Sequence, residues 1–491
     1  MNRPNPFNCF ACGSAAPWSA AIPRAAACLI AAVMIGGPPC AFGQPSMQTI
    51  LTNGPVSNRL NIAVLSEGYT ASQLAQFLVH ATNAVNGILS HPPYQEYSNY
   101  FNAFAIKVAS NQSGSSHPQY GIYPNTYFNS IYDPDSDRLI TIPPNFADAN
   151  YSDGQGKVDA LLQTFMPNAQ LPVLLVNDTT DGGSDGFYKT AIASTEALYY
   201  EMPPNPPYIL THETGHVLAN LSDEYTYTNP YAGAPSTEGA NTTQQTNRTL
   251  IKWNAWISAN TPVPTPDTVG EGVVGLFQGA QYHPANWYRP ELNCAMGALG
   301  VPFCSVCSEA LVLAIYQRVR PVDGFSPAST NLSLSTTQAA AFSVALLQPA
   351  THNLNVQWFT NGVPCAGATD LSFTLLPQSL ANGTNWVSAR VKDNTALVRN
   401  DPTNLLSQTV TWTVNVSLPQ LRLDSPLWLT GGRFVFRVAG YAPQGVVIQS
   451  STDLSTWVPL ATNSLVGGQL WHTNSAASSF PKTFYRAVTP P

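Results

Sequence analysis

The chain has 491 residues, enough for roughly two to four domains with sizeable cores. Only 10% of residues are charged, and 33 Gly with 42 Pro suit turn-rich β domains; the apolar content excludes a disordered chain. The net charge of −7 comes with no Lys/Arg block or stripe, which excludes nucleic acid as an expected partner.

Residues 1–43 contain Arg3 and Arg24, an apolar run from Ala25 to Gly37, then Ala41-Phe42-Gly43. This is the pattern of a secretory signal peptide ending at a small-residue cleavage site, and it predicts an extracellular protein. The run is too short for a permanent membrane span, and no later stretch approaches about twenty apolar residues. Cys40 follows Pro38-Pro39, a poor match to a lipoprotein cleavage site, so a lipid anchor is not expected. Residues 44–57 are expected to form an N-terminal linker.

From Leu60 to Leu65 an apolar run predicts a buried strand, and Thr70 with Gln73 forms a capping box that opens a helix. Leu74, Phe77, Leu78, Val85, Ile88 and Leu89 recur at helical spacing and predict a core-facing side, with Gln73 and Gln76 outside. Further strands are expected at Ala103 to Ala109 and Leu171 to Val176, a mixture typical of an α/β (α+β) catalytic unit over 58–320. Asp133, Asp135 and Asp137 resemble half a calcium loop. Arg138 stands where such a loop needs Gly and the distal Glu is absent, so a solvated acidic turn is expected. The turn-rich segment after Asp181 leads into an alternating strand, Tyr188 to Ala193.

Thr211-His-Glu-Thr-Gly-His216 is an H-E-x-x-H motif. On a helix, His212 and His216 lie one turn apart on one face and can reach one metal ion, with Glu213 beside them as a general base. Catalytic zinc takes three protein ligands and keeps one position open. Asn220 tolerates the left-handed conformation that ends helices, so a helix from about Tyr208 would stop there and turn Asp223 back toward the His pair. Glu224, one residue on, is the competing third ligand.

Seventy residues later come Asn293-Cys-Ala-Met-Gly297 and Pro302-Phe-Cys-Ser-Val-Cys307. With the H-E-x-x-H motif and Asp223-Glu224-Tyr225, these segments resemble the IgA-type zinc metallopeptidase family, metzincin-like members of the zincin clan. The resemblance runs from about Asn58 to Arg320 and includes Asn61 to Thr70 and Val176-Asn177-Asp178. It implies a metzincin-like catalytic domain, Zn2+ on His212, His216 and Asp223, and Met296 as the structural Met-turn beneath the metal. It also implies a zinc metalloendopeptidase that hydrolyses a protein or peptide substrate through zinc-activated water, with Glu213 as the base. By the same resemblance the strand Tyr188 to Ala193 lines the cleft as an edge, either a plain one or one that takes an extended substrate as a further strand. Tyr225 is either an oxyanion donor or a packing residue. One departure is Ala219, three residues past the second His, where metzincin-like chains usually carry Gly.

Four of the eight cysteines precede residue 44, leaving Cys294, Cys304, Cys307 and Cys365. Cys304-x-x-Cys307 could be a redox pair or a second zinc site, but no βαβ pattern or His cluster accompanies it. In an exported protein a structural disulfide is the expectation, pairing Cys294 with Cys304 or Cys307 and closing the Met296 segment. Cys365 is expected to be free.

Beyond Pro321 short alternating strands take over, at Val356 to Trp358, Trp386 to Val391 and Val410 to Val414. They predict a multidomain chain: an immunoglobulin-like β-sandwich over 321–418, then a second all-β module over 419–491 that ends with Phe484 to Val488. Neither contains a ligand cluster or a nucleophile with a base, so these modules are expected to act as spacers or to bind a surface or another protein. The competing reading of the whole chain is a secreted zinc-containing binding or adhesion protein without proteolytic activity. Glu213 would have no task in it.

Overall fold

A computed structural model describes residues 44–143, 154–186, 189–195, 208–229, 236–335, 339–442 and 444–490. The expected signal peptide lies outside the described residues. Alternation along the expected first strand organises the N-terminal half. In β2 (Leu60–Glu67), Leu60, Ile62 and Val64 enter one apolar core while Ala63 and Leu65 enter another. A strand buried on both faces has no solvent side, which explains the consecutive apolar residues Ile62 to Leu65; the buried Asn61 is satisfied by the carbonyls of Val56, Arg59 and Asn168.

β2 is central to an eight-stranded mixed sheet. Its other strands are β1 (Ser46–Leu51), β3 (Phe101–Lys107), β4 (Ile131–Asp133), β5 (Ser136–Thr141), β6 (Ala169–Val176), β7 (Gly183–Ser184) and β8 (Ala191–Ser194). The spatial order is β1-β3-β2-β6-β8-β7-β5-β4, with β3, β2, β6 and β8 parallel to one another. Helix α1 (Leu74–Ser90) opens after the Thr70–Gln73 capping box and buries Phe77, Ala81, Ala84, Val85 and Ile88. It shares its core with α3 (Tyr208–Ala219) and α4 (Ser305–Arg318), whereas α2 (Gly154–Phe165) contributes Val158 and Leu161 to the core on the opposite face. The sheet is therefore covered by helices on both sides.

Two expectations change, and a third, the acidic turn, takes a definite form. Residues 44–57 are more than a linker: β1 pairs antiparallel with β3, from Ser46 opposite Lys107 to Leu51 opposite Ala103, because β3 would otherwise present an open edge. The strand at 188–193 is not an edge. Its described part, β8, is paired with β6 on one side and β7 on the other, so its ladder groups are not open to a substrate strand. Asp133 and Asp135 belong to the β4–β5 hairpin, where the Asp135 N–H donates to Asp133 Oδ1 at 2.7 Å; the Asp137 side chain lies outside the described residues. Asp133 is thus used in shaping a turn.

In 322–416 a three-stranded and a five-stranded sheet close on one core. Phe342 and Val344 of the smaller sheet meet Trp358 and Trp412 of the larger, and the two indoles stack at 5.8 Å. Two further three-stranded sheets between Arg422 and Val488 pack around Phe436, Val438, Val446 and Ile448.

The sandwich is docked against the α/β unit, which a simple spacer would not require. Asp393, from the loop after the strand Gly383–Lys392, accepts hydrogen bonds on Oδ2 from Tyr97 (2.8 Å) and Tyr316 (2.7 Å), while Oδ1 meets His352 Nε2 at 3.0 Å. Its side chain is fully buried. Arg59 grips Asp323 through two parallel bonds of 2.8 and 2.7 Å, and Glu309 of α4 accepts the Arg399 N–H at 2.6 Å. Replacing Asp393 by Ala would leave two buried phenol hydroxyls without this acceptor. Asp393→Ala is expected to cost about 3 kcal/mol in denaturant unfolding, and an unchanged midpoint would contradict this role.

Candidate metal centre

Helix α3 carries the motif, and its end sets the geometry. The described helix runs Tyr208–Ala219, and Asn220 takes φ 52°, the left-handed conformation expected of it. The Asn220 N–H donates to the His216 carbonyl at 3.0 Å and Leu221 N–H reaches the Gly215 carbonyl at 3.4 Å, so carbonyls of the last turn are satisfied as the chain reverses. Asn at 220 does the work usually given to Gly.

The reversal brings Asp223 to the two histidines. Its Oδ1 lies 3.0 Å from His212 Nε2 and 3.4 Å from His216 Nε2, and the two Nε2 atoms are 3.1 Å apart. All three side chains are buried. His212 Nδ1 donates to the Ala295 carbonyl (2.8 Å) and His216 Nδ1 to the Leu221 carbonyl (2.6 Å). A carbonyl can only accept, so each neutral ring keeps its lone pair on Nε2, facing the other and Asp223. Asp223 Oδ1 is buried and makes no well-aligned hydrogen bond despite its two short approaches. Three electron-rich atoms thus converge on one point, an arrangement that calls for a cation.

The charge states agree. Burial pulls His216 down, but the Asp223 carboxylate overrides it and leaves the imidazole pushed up to about 9. His212 is also raised, its burial outweighed by Asp223 and Glu213. Burial alone would raise Asp223, yet the two imidazoles hold it well below the usual carboxylate range. Glu213, on the same helix, is pushed up to about 8, first by burial and then by the charges of Asp185 and Asp223, against the opposing effect of His212.

Met296 is fully buried under the helix. A Cβ built on Gly215 would stand 3.1 Å from Met296 Sδ and 3.2 Å from Leu221 and Phe303, so glycine between the two histidines lets α3 sit on the Met296 turn. The same turn holds both ends of the site, with the Ala295 carbonyl on His212 and the Met296 carbonyl on the Glu224 N–H at 2.7 Å.

Three contributors carried no local signal in the sequence. Tyr282 donates its hydroxyl to Asp223 Oδ2, and its backbone at φ 66° pairs with Tyr225 and Tyr227. Asp185, beyond β7, adds negative field at Glu213 and His216. Gly183 leaves room beside Glu213, since a Cβ there would come 3.3 Å from Glu213 Oε1 and 2.8 Å from the Ile192 carbonyl. Tyr225 packs edge-on against Tyr282, ring centroids 5.1 Å apart, the packing alternative for that residue.

Glu224 goes elsewhere, to Cys294, Cys304 and Cys307. This corrects the expected disulfide. The four cysteines among the described residues are free, and Cys294 Sγ stands 3.6 Å from Cys307 Sγ, far beyond the roughly 2.05 Å of a bond. The three thiols surround a carboxylate instead of closing on one another.

Comparison with known proteins adds the class, that of a peptidase. The family model described as IgA peptidase M64 matches residues 49–271 and 267–315, more than half of the chain. The chain belongs to the IgA peptidase M64 family. Among solved structures, the apo structure of Bacteroides uniformis beta-glucuronidase 3 is similar at 11% identity and TM-score 0.13, over 44% of this chain and 30% of that one. A chaperone-tip adhesin complex of CFA/I fimbriae is similar at 12% identity and TM-score 0.15, over 34% and 92%. Likenesses this slight carry no argument about fold or function. No curated protein matches the chain.

The left-handed residue gives a direct test of the turn. Asn220→Ala is expected to destabilise the fold by about 1–2 kcal/mol and to weaken metal retention, whereas Asn220→Gly should retain both. Thermal unfolding with metal analysis of the two variants checks this; equal behaviour would contradict it.

Proposed function

We propose that the chain is a secreted zinc-dependent endopeptidase, with His212, His216 and Asp223 as metal ligands and Glu213 as general base. The observation that carries this reading is the triangle of Nε2, Nε2 and Oδ1 atoms with edges of 3.0–3.4 Å. Donors about 2.0–2.1 Å from a tetrahedral zinc stand roughly 3.3 Å apart, so the residues fit the ion. Three ligands leave a fourth position for chemistry. Bound there, zinc supplies Lewis acidity toward a scissile carbonyl and toward water.

The chain's own groups do the rest. His212 and His216 are fixed in the ligating tautomer by the Ala295 and Leu221 carbonyls, a constraint that also limits ring rotation. Tyr282 holds Asp223 Oδ2, leaving Oδ1 directed at the histidines. Glu213 takes the proton of the attacking water and returns it to the leaving amine. Its raised affinity for a proton suits this exchange near neutral pH. Hydrolysis then needs no covalent acyl-enzyme. Residues 1–43, with their short apolar run, support export.

Glu213→Gln keeps the size of the side chain but removes the base. Metal content is expected to match the unaltered chain while casein cleavage falls by at least about 10²-fold. A chelator should abolish cleavage by the unaltered protein. Unchanged turnover in the variant would refute the base, and metal without any cleavage of casein or a mixed peptide library would favour the binding protein.

Loading the metal should also displace protons. In metal-free protein His216, with its pKa raised to about 9, is charged at pH 7, and ligation requires its Nε2 lone pair. Zinc addition at pH 7 should therefore release about one proton or more per chain, with release declining as pH rises through about 9. Calorimetry in buffers of different ionisation enthalpy measures this. A pH-independent release would contradict it.

A further inference from the structure

The correction at the cysteines opens a second question, because the group that replaces the expected disulfide has the composition of a metal site. Glu224, Cys294, Cys304 and Cys307 each offer a ligand atom, and these atoms all lie within 4.8 Å of one another. Their residues are only 2%, 1%, 4% and 0% exposed. Cys294 and Cys307 sulfurs are 3.6 Å apart, close to the roughly 3.8 Å between thiolates on one tetrahedral zinc. Glu224 Oε1 is held by Asn241 Nδ2 at 2.7 Å and lies 3.3 Å from Cys307 Sγ. Glu224 Oε2 is buried with no partner, an arrangement that is costly unless something else binds there.

We propose that Glu224, Cys294, Cys304 and Cys307 form a second, closed zinc site, structural and distinct from the catalytic one. Three soft sulfur ligands and one carboxylate complete a tetrahedral set and leave no open position. Loading it releases the thiol protons to solvent. Backbone N–H groups already point at the sulfurs, from Met296 (3.5 Å) and Cys304 (3.3 Å) to Cys294 and from Cys307 (3.4 Å) to Cys304, and they stabilise thiolate charge. A disulfide between any two of the cysteines would leave the third thiol and the carboxylate buried without a common partner. A metal uses all four.

The site also has a structural task. Glu224 adjoins the ligand Asp223, Cys294 lies two residues before Met296 and next to Ala295, whose carbonyl orients His212, and Cys304 with Cys307 begins α4. One ion would tie together the ligand turn, the Met296 turn and that helix start. This inference goes beyond the peptidase reading and does not depend on it.

The test is metal analysis and cobalt substitution of the full chain, purified without added reductant. The unaltered protein is expected to bind two zinc equivalents, and His212→Ala/His216→Ala to retain one. Cobalt-loaded protein, unaltered or with the histidines replaced, should display a near-ultraviolet thiolate-to-cobalt charge-transfer band. Cys304→Ser/Cys307→Ser and Glu224→Gln should lose that band or weaken it. If those variants do not fold, the cobalt spectrum of unaltered protein still decides. No charge-transfer band, or a mapped disulfide joining any two of Cys294, Cys304 and Cys307, would overturn the proposal. A single equivalent that vanishes with the histidines would also overturn it while leaving the catalytic reading intact; two bound equivalents with no chelator-sensitive cleavage would count against the catalytic reading alone.

Discussion

Two imidazole lone pairs and a carboxylate oxygen meet within 3.0–3.4 Å inside a water-poor interior, and this convergence is the constraint on which the rest of the site depends. Left uncompensated it is repulsive. Without a metal, protons must fill the gap, which is why His212 and His216 hold theirs more tightly than ordinary histidines while Asp223 gives its own up. A structure maintains such an arrangement only when surrounding groups prevent the side chains from turning away.

Those surroundings come from separate parts of the chain. The parallel strands support α3 through cores divided by the alternation of β2 and β6. Asn220 reverses the chain, and Gly215 lets the helix rest on Met296. The segment 294–296 supplies the carbonyl that orients His212, and Tyr282 arrives on a backbone excursion with positive φ to hold Asp223. Farther away, the docked sandwich tethers Tyr97 and Tyr316 through Asp393, so the scaffold behind α1 and α4 is stiffened by a module with no ligand cluster of its own among the described residues.

Much of the centre was legible because its signals are local. H-E-x-x-H places its histidines by helical period, Asn220 stops the helix by its tolerance of positive φ, and the capping box at Thr70 and Gln73 starts α1. The errors arose where partners are remote. Strand character at 188–193 says nothing of which strands flank it, and β7 proved to cover the side expected to receive substrate. Residues 44–57 contain a strand whose role depends on β3, its partner in the sheet, which lies 52 to 61 residues farther along the chain. The cysteine spacing allows a bridge, and nothing local in the sequence ties Glu224 to three thiols that lie far along the chain.

By itself the sequence determined the motif helix, its stop, the buried strands and the choice of residues fit to hold a metal, because periodicity and backbone conformational preference act over a few residues. Tertiary structure alone parted Asp223 from Glu224, setting the first beside the two histidines and the second among the thiols, since a one-residue difference after a turn sends adjacent carboxylates in different directions. It also brought Tyr282 to Asp223, gathered the thiols around Glu224 and fixed the sandwich on Asp393. Each of these contacts joins residues far apart in the chain, where spacing carries no information about distance in space.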